Sequence, residues 1–141
     1  MKKIMLVGRS GSGKTTLTQA LKGERISYHK TQYTNHYSGI IDTPGEYAET
    51  KELGRALALY SYEADLIGLI ISAKEDYSLF NPNITGIVNR EVIGIVTQID
   101  HPEANRLRAK AWLSISGCEK IFFVSAATGE GIPELLTYLQ S

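Results

Sequence analysis

A chain of 141 residues has the size of one domain and is long enough to bury a core, and its 43% apolar and 21% charged residues are ordinary globular composition. Fifteen basic side chains balance fifteen acidic ones, so net charge gives no general argument for nucleic acid or an anionic membrane as partner. The lone cysteine, Cys118, forms no internal disulfide, which fits a reducing compartment; it reads as a small buried hydrophobe near a helix end.

In chain order, Met1-Lys2-Lys3 imitates the start of a signal peptide, but the apolar run Ile4–Val7 is too short and is cut by Gly8-Arg9-Ser10. No apolar run approaches the length of a bilayer span, so the expectation is a soluble cytoplasmic protein. Ile4–Val7, Gly39–Ile41, Leu66–Ser72, Val92–Thr97 and Ile121–Ser125 read as strands. All but the second are almost continuously hydrophobic, the pattern of parallel strands covered on both faces. Thr15–Lys22, Thr50–Tyr62, Pro102–Ser116 and Ile132–Gln140 read as helices, with Pro102 and Pro133 placed near helix starts. Ser78 and Asn81-Pro82-Asn83 mark an irregular connection between the third and fourth core strands. This alternation predicts an α/β fold, a doubly wound, mostly parallel sheet with helices on both faces, organised as one domain over 1–141. In such sheets ligands bind outside the carboxyl ends of the strands, and the chemically interesting residues fall just after strands.

Gly8-Arg9-Ser10-Gly11-Ser12-Gly13-Lys14-Thr15 matches the Walker A pattern between a buried strand and a helix. Glycines let the backbone turn its N–H groups inward on phosphate oxygens, and the following helix adds the positive end of its dipole. Gly8, Ser10, Gly11, Ser12, Gly13, Lys14, Thr15 and Thr16 are therefore expected to hold a nucleoside triphosphate. Lys14 would bridge the β- and γ-phosphates, and the Thr15 hydroxyl would ligate Mg²⁺. Asp42, closing the second strand, is the carboxylate for the metal, directly or through water, and the Gly45 N–H is placed for the γ-phosphate. Two further strand ends, Thr97-Gln98-Ile99-Asp100 and Ser125-Ala126-Ala127, supply groups for a nucleobase: Thr97, Gln98, Asp100, Ser125, Ala126 and Ala127.

The order phosphate loop, Asp-x-x-Gly, Thr-x-x-Asp, Ser-Ala-x resembles that of translation-factor-related GTPases over nearly the whole chain. In small GTPases the aspartate of the third motif accepts from guanine N1 and N2, and the fourth presents backbone N–H to O6. The stretches Lys30-Thr31-Gln32, Ile41–Tyr47, Glu63-Ala64-Asp65 and Val92–Thr97 narrow the resemblance to the ethanolamine- and propanediol-utilisation family EutP/PduV. That resemblance implies a small GTPase-like protein with Mg²⁺ and GTP or GDP as ligands. It also implies a bacterial microcompartment for diol or amine breakdown, with shell or enzyme proteins as partners.

The chain departs from the GTPase pattern in three places. Gln98 replaces the lysine that packs over the guanine plane, which weakens affinity while Asp100 keeps the polar discrimination. The short stretch between Lys14 and Asp42 leaves little room for a full switch segment and an antiparallel edge strand. Thr31, favoured by the resemblance, or Thr34 completes the Mg²⁺ shell. Glu46 stands where a water-positioning glutamine usually sits, and its charge is unfavourable beside phosphate. With Lys14, Thr31, Gly45 and Glu46 as the catalytic set and no obvious arginine finger, slow intrinsic hydrolysis is expected. Three readings stand: a regulatory GTPase; an ATP-using small-molecule kinase acting on acetate or a similar acid; and a non-hydrolysing nucleotide module bound to a shell.

Overall fold

The computed structural model describes residues 3–8, 13–22, 40–42, 64–75, 80, 84–87 and 90–140. The expected helix Thr50–Tyr62 lies outside them, as do Thr31, Thr34, Gly45 and Glu46. The strands are β1 (Ile4–Val7), β2 (Ile40–Asp42), β3 (Leu66–Ser72), β4 (Glu91–Thr97) and β5 (Ile121–Phe123). The helices are α1 (Lys14–Lys22), α2 (Arg106–Ser116) and α3 (Ile132–Gln140), and a 3₁₀ turn spans Ile84–Ile87 in the connection before β4. The strands form one sheet in the order β2-β1-β3-β4-β5, and every described pair is parallel.

Continuous hydrophobicity in the strands has a direct cause: alternate side chains enter two different cores. Ile4, Leu6, Leu66, Ile70, Ile93 and Ile95 pack with Leu17 and Leu21 of α1 and Leu135 and Leu139 of α3. Met5, Val7, Ile67, Leu69, Ile71 and Val96 pack with Ala109 and Leu113 of α2. Every residue of β1 and β3 is buried, and each large aliphatic side chain so placed contributes roughly 1.5–3 kcal/mol. Two layers of helix on one parallel sheet is the doubly wound architecture read from the sequence.

The start of α2 differs from expectation by four residues. Asn105, in extended backbone (φ −127°, ψ 90°), caps the helix by accepting the Arg108 N–H on its side chain. Its own N–H donates to the Ala73 carbonyl at 2.7 Å, which fixes the cap against the end of β3. Pro102 consequently sits in the turn that the Ala104 N–H closes onto the His101 carbonyl, whereas Pro133 does occupy the second position of α3. β5 is shorter than expected, yet the Val124 N–H still donates to the Val96 carbonyl at 2.8 Å, so pairing runs one residue past Phe123.

Cys118 is buried just beyond α2, and burial pushes its thiol from the ordinary 9.0 up to about 12. It is therefore neutral at physiological pH and serves as a small hydrophobe. Trp112 lies at the rim of the core, partly buried, with the Arg108 guanidinium 5.3 Å from its ring centroid. No described helix is long and apolar enough to cross a membrane.

The chain leaves β1 toward β2 on one side and reaches β3 on the other. This reversal opens a crevice at the carboxyl ends of the strands. Every strand end that carries a motif opens onto that edge.

Candidate functional site

At the end of β1, Gly8 is buried, and the chain returns at Gly13, whose φ of +87° lies in the left-handed region that side chains rarely adopt. The Gly13 carbonyl accepts from the Leu17 N–H at 2.8 Å and so opens the ladder of α1. Lys14 is 9% exposed at the first helical position, and the Thr18 hydroxyl donates to its carbonyl at 2.8 Å. Thr15 and Thr16 are exposed on the same first turn. One residue is thus a buried cation, its neighbour an exposed hydroxyl, and both stand where the helix dipole is positive. Ser10, Gly11 and Ser12 lie outside the described residues. Asp42 closes β2 and pairs in register with Leu6, which sets its backbone at the same edge as the loop that follows β1.

A second cluster forms where β4 and β5 end. The Thr97–Asp100 segment turns sharply because Gln98 adopts φ +57°, the one positive φ among described non-glycine residues. Asp100 is exposed, and its Oδ1 accepts from the Ser125 hydroxyl at 2.8 Å. Ser125 is fully buried; its Oγ accepts from the Thr128 N–H at 3.2 Å, and its own N–H donates to the Glu130 carbonyl at 2.8 Å. A carboxylate can accept several donors, so the serine orients Asp100 without exhausting it.

These parts meet around a cavity of about 220 Å³. Gly13, Thr16 and Leu17 line it from the α1 side, Thr97, Gln98, Asp100 and His101 from the end of β4, and Val124, Ala126 and Ala127 from the end of β5. On the same measure one water needs about 10–15 Å³, so the space is large enough for a ring system. Its described walls combine apolar side chains with a few polar ones and one carboxylate, the composition of a small-molecule site. Among the described residues no arginine lines it. The described arginines act elsewhere: Arg90 donates to the Ala64 carbonyl, Arg108 to the Glu75 carbonyl, and Arg106 lies 3.6 Å from Glu130.

The structure therefore brings Gly13, Thr16, Thr97, Gln98, Asp100, Ala126 and Ala127 to one cavity, with Ser125 behind Asp100. Residues the sequence reading missed are Leu17, His101, Val124 and Ser72, the last bonded to Gln98. Ser72 was open to the strand-end rule, since it closes β3 as Thr97 closes β4. Leu17 and Val124 carried no signal beyond their hydrophobicity.

Comparison with known proteins supplies the family. The model of the PduV-EutP family, described as ethanolamine utilisation and propanediol utilisation, matches residues 1–141. The propanediol utilization protein PduV of Citrobacter freundii is 43% identical over all of this chain and 95% of its own length. The probable acetate kinase EutP of Escherichia coli K12 is 31% identical over all of this chain and 91% of its own. GTPase Era of Mycobacterium leprae is 33% identical over 96% of this chain, which spans only 54% of that protein. Among solved structures, the FeoB G-domain from Methanococcus jannaschii superposes with a TM-score of 0.67 at 23% identity, covering 99% of this chain and 95% of that one. Its fold is a small G-domain fold, which agrees with a parallel sheet whose phosphate-loop motif follows β1. With the family model covering its whole length and relatives named PduV and EutP matching all of it, this chain belongs to the PduV-EutP family.

Proposed function

We propose that this protein is a Mg²⁺-dependent guanine-nucleotide-binding protein with slow intrinsic GTP hydrolysis, acting in ethanolamine or 1,2-propanediol utilisation. The observation that carries the reading is the cavity in which Asp100, oriented by Ser125, stands across from the Gly13 turn at the start of α1. An oriented carboxylate, the one acidic group among the described lining residues, selects a base with adjacent N–H donors, which guanine has and adenine lacks.

Mg²⁺ fits the residues present. It is commonly held by hydroxyl, phosphate and water with one or two carboxylates rather than in an all-protein cage. The exposed Thr15 hydroxyl beside buried Lys14 suits that arrangement. When bound, the ion neutralises charge developing on the phosphates. Thr15, with Thr31, would hold it, and Asp42 would act directly or through water. Lys14 would neutralise the β- and γ-phosphate oxygens, and the Gly45 N–H, outside the described residues, would donate to the γ-phosphate. Glu46 orients the attacking water, at the disadvantage of a negative charge beside phosphate. The sequence offers no obvious arginine finger, and a missing one leaves hydrolysis slower by roughly 10³–10⁵. A shell or enzyme partner of a microcompartment would supply the stimulation.

A second reading is favoured by the name of the Escherichia coli relative, a probable acetate kinase: ATP-dependent phosphoryl transfer to acetate. Gln98 in place of the usual base-stacking lysine weakens the guanine bias and leaves room for it. The two readings separate on products. With GTP and Mg²⁺ the purified protein is expected to release GDP and phosphate at less than about one turnover per second. With ATP, acetate and hydroxylamine it is expected to yield no acetyl hydroxamate. Hydroxamate formation faster than GTP hydrolysis would establish the kinase instead.

A further inference from the structure

Gln98 is held in an unusual way. Its backbone occupies the left-handed region, which costs a non-glycine residue on the order of 1–3 kcal/mol and persists only where surroundings enforce it. Its side chain provides the enforcement. The Lys74 N–H donates to Ser72 Oγ at 3.3 Å, and the Ser72 hydroxyl donates to Gln98 Oε1. A serine hydroxyl carries one proton. That proton goes to Gln98 Oε1, so the oxygen of the Gln98 amide faces Ser72 and the NH₂ group is left for the opposite side. On that side lies the phosphate-loop turn: a Cβ added to Gly13 would stand 3.6 Å from Gln98 Nε2 and from Gln98 Cγ, and 3.4 Å from Thr97 Oγ1.

We propose that Ser72 is a positioning residue for the base pocket, locking the Gln98 carboxamide so that its stem walls the cavity and its NH₂ group braces the Gly13 turn. The register makes this possible, because Ser72 and Thr97 are direct partners at the carboxyl ends of β3 and β4. The Ala73 N–H also donates to the Thr97 carbonyl at 2.8 Å, which fixes the two strand ends against each other. A lysine at position 98 has no acceptor and offers donors in every direction. It would not need a hydroxyl at 72 to set its polarity. Ser72 and Gln98 therefore act as a pair that replaces one long cation.

The inference rests on the nucleotide-binding reading, and a double-mutant cycle with GDP in the presence of Mg²⁺ tests it. Ser72→Ala and Gln98→Met are each expected to weaken GDP binding about three- to tenfold, the range of one neutral hydrogen bond. The double variant is expected to be no weaker than either single one, and Ser72→Ala introduced into a Gln98→Lys background is expected to change affinity less than about twofold. Gln98 is only partly buried. Gln98→Met therefore carries the test even if Ser72→Ala disturbs folding, and unchanged affinity in it would overturn the proposal. Losses that simply multiply in the double variant, or that persist in the Gln98→Lys background, would give Ser72 a merely structural role. Wild-type protein that binds no GDP overturns the proposed function and this inference together; bound GDP without coupling overturns the inference alone.

Discussion

Asp100→Asn is expected to weaken GDP and GTP binding roughly 10- to 150-fold while ADP and ATP change by less than about threefold. The lower and upper bounds correspond to one charge-assisted hydrogen bond of roughly 1.5–3 kcal/mol. Asparagine keeps the shape and can still accept the Ser125 hydroxyl on its oxygen, the bond that Oδ1 accepts at 2.8 Å. What it cannot do is accept twice from the base: its NH₂ group would meet the N–H donors of guanine as a second donor. Adenine presents no such pair of donors, so its binding is insensitive to the exchange. Direct titration of all four nucleotides against both proteins, checked by their melting temperatures without ligand, reads the effect. A uniform loss across guanine and adenine nucleotides would mean that Asp100 supports the loop rather than selects the base.

The second large effect is on stability. Gly131→Ala is expected to cost about 2–5 kcal/mol, whereas Gly129→Ala two residues earlier is expected to cost about 1–2 kcal/mol. Both glycines have left-handed backbone, φ +80° and +84°. An alanine there bears the same conformational penalty at either position. The difference is space. A Cβ at Gly131 would stand 1.9 Å from the Phe123 carbonyl oxygen, an immovable backbone atom at the end of β5, while one at Gly129 meets nothing within 4 Å. The Gly131 carbonyl also accepts from the Leu135 N–H at 3.2 Å in the first turn of α3, so displacement of this point moves a helix whose Leu135 and Leu139 are fully buried. A loss of that size lowers the melting temperature by roughly 6–20 °C for a domain of this length. Equal melting temperatures for the two variants would show that β5 and the loop yield more easily than their packing indicates.

The same loop links stability to the site. Glu130 accepts the Ser125 N–H and Ser125 accepts the Gly129 N–H at 2.8 Å each, and Ser125 orients Asp100. The strain introduced by Gly131→Ala therefore lies close to the base pocket.

The fold was legible because hydrophobic continuity, length and strand–helix alternation all pointed the same way. Leu66–Ser72 and Ile132–Gln140 fall where the sequence puts them, and Glu91–Thr97 differs by one residue. Element ends were less legible. Pro102 looked like a helix start because proline favours that position, but the competing signal was Asn105, whose side chain and backbone both find partners at the right place. The site was legible as motifs, since Asp100 and Ser125 could each be named from a short pattern. Their hydrogen bond could not be, because it joins residues 25 apart in sequence. Ser72 was marked only by ending a strand, and its pairing with Gln98 was hidden for a similar reason, since only the β3–β4 register sets the two side by side.

The most direct test of the central claim is calorimetric titration of the nucleotide-free protein with GDP and ADP at fixed Mg²⁺. The cavity built around Asp100 predicts GDP binding at least tenfold tighter than ADP, the smaller of the two limits set by one charge-assisted bond. Equal affinity, or tighter binding of ADP, would contradict the guanine reading and turn attention to phosphoryl transfer from ATP.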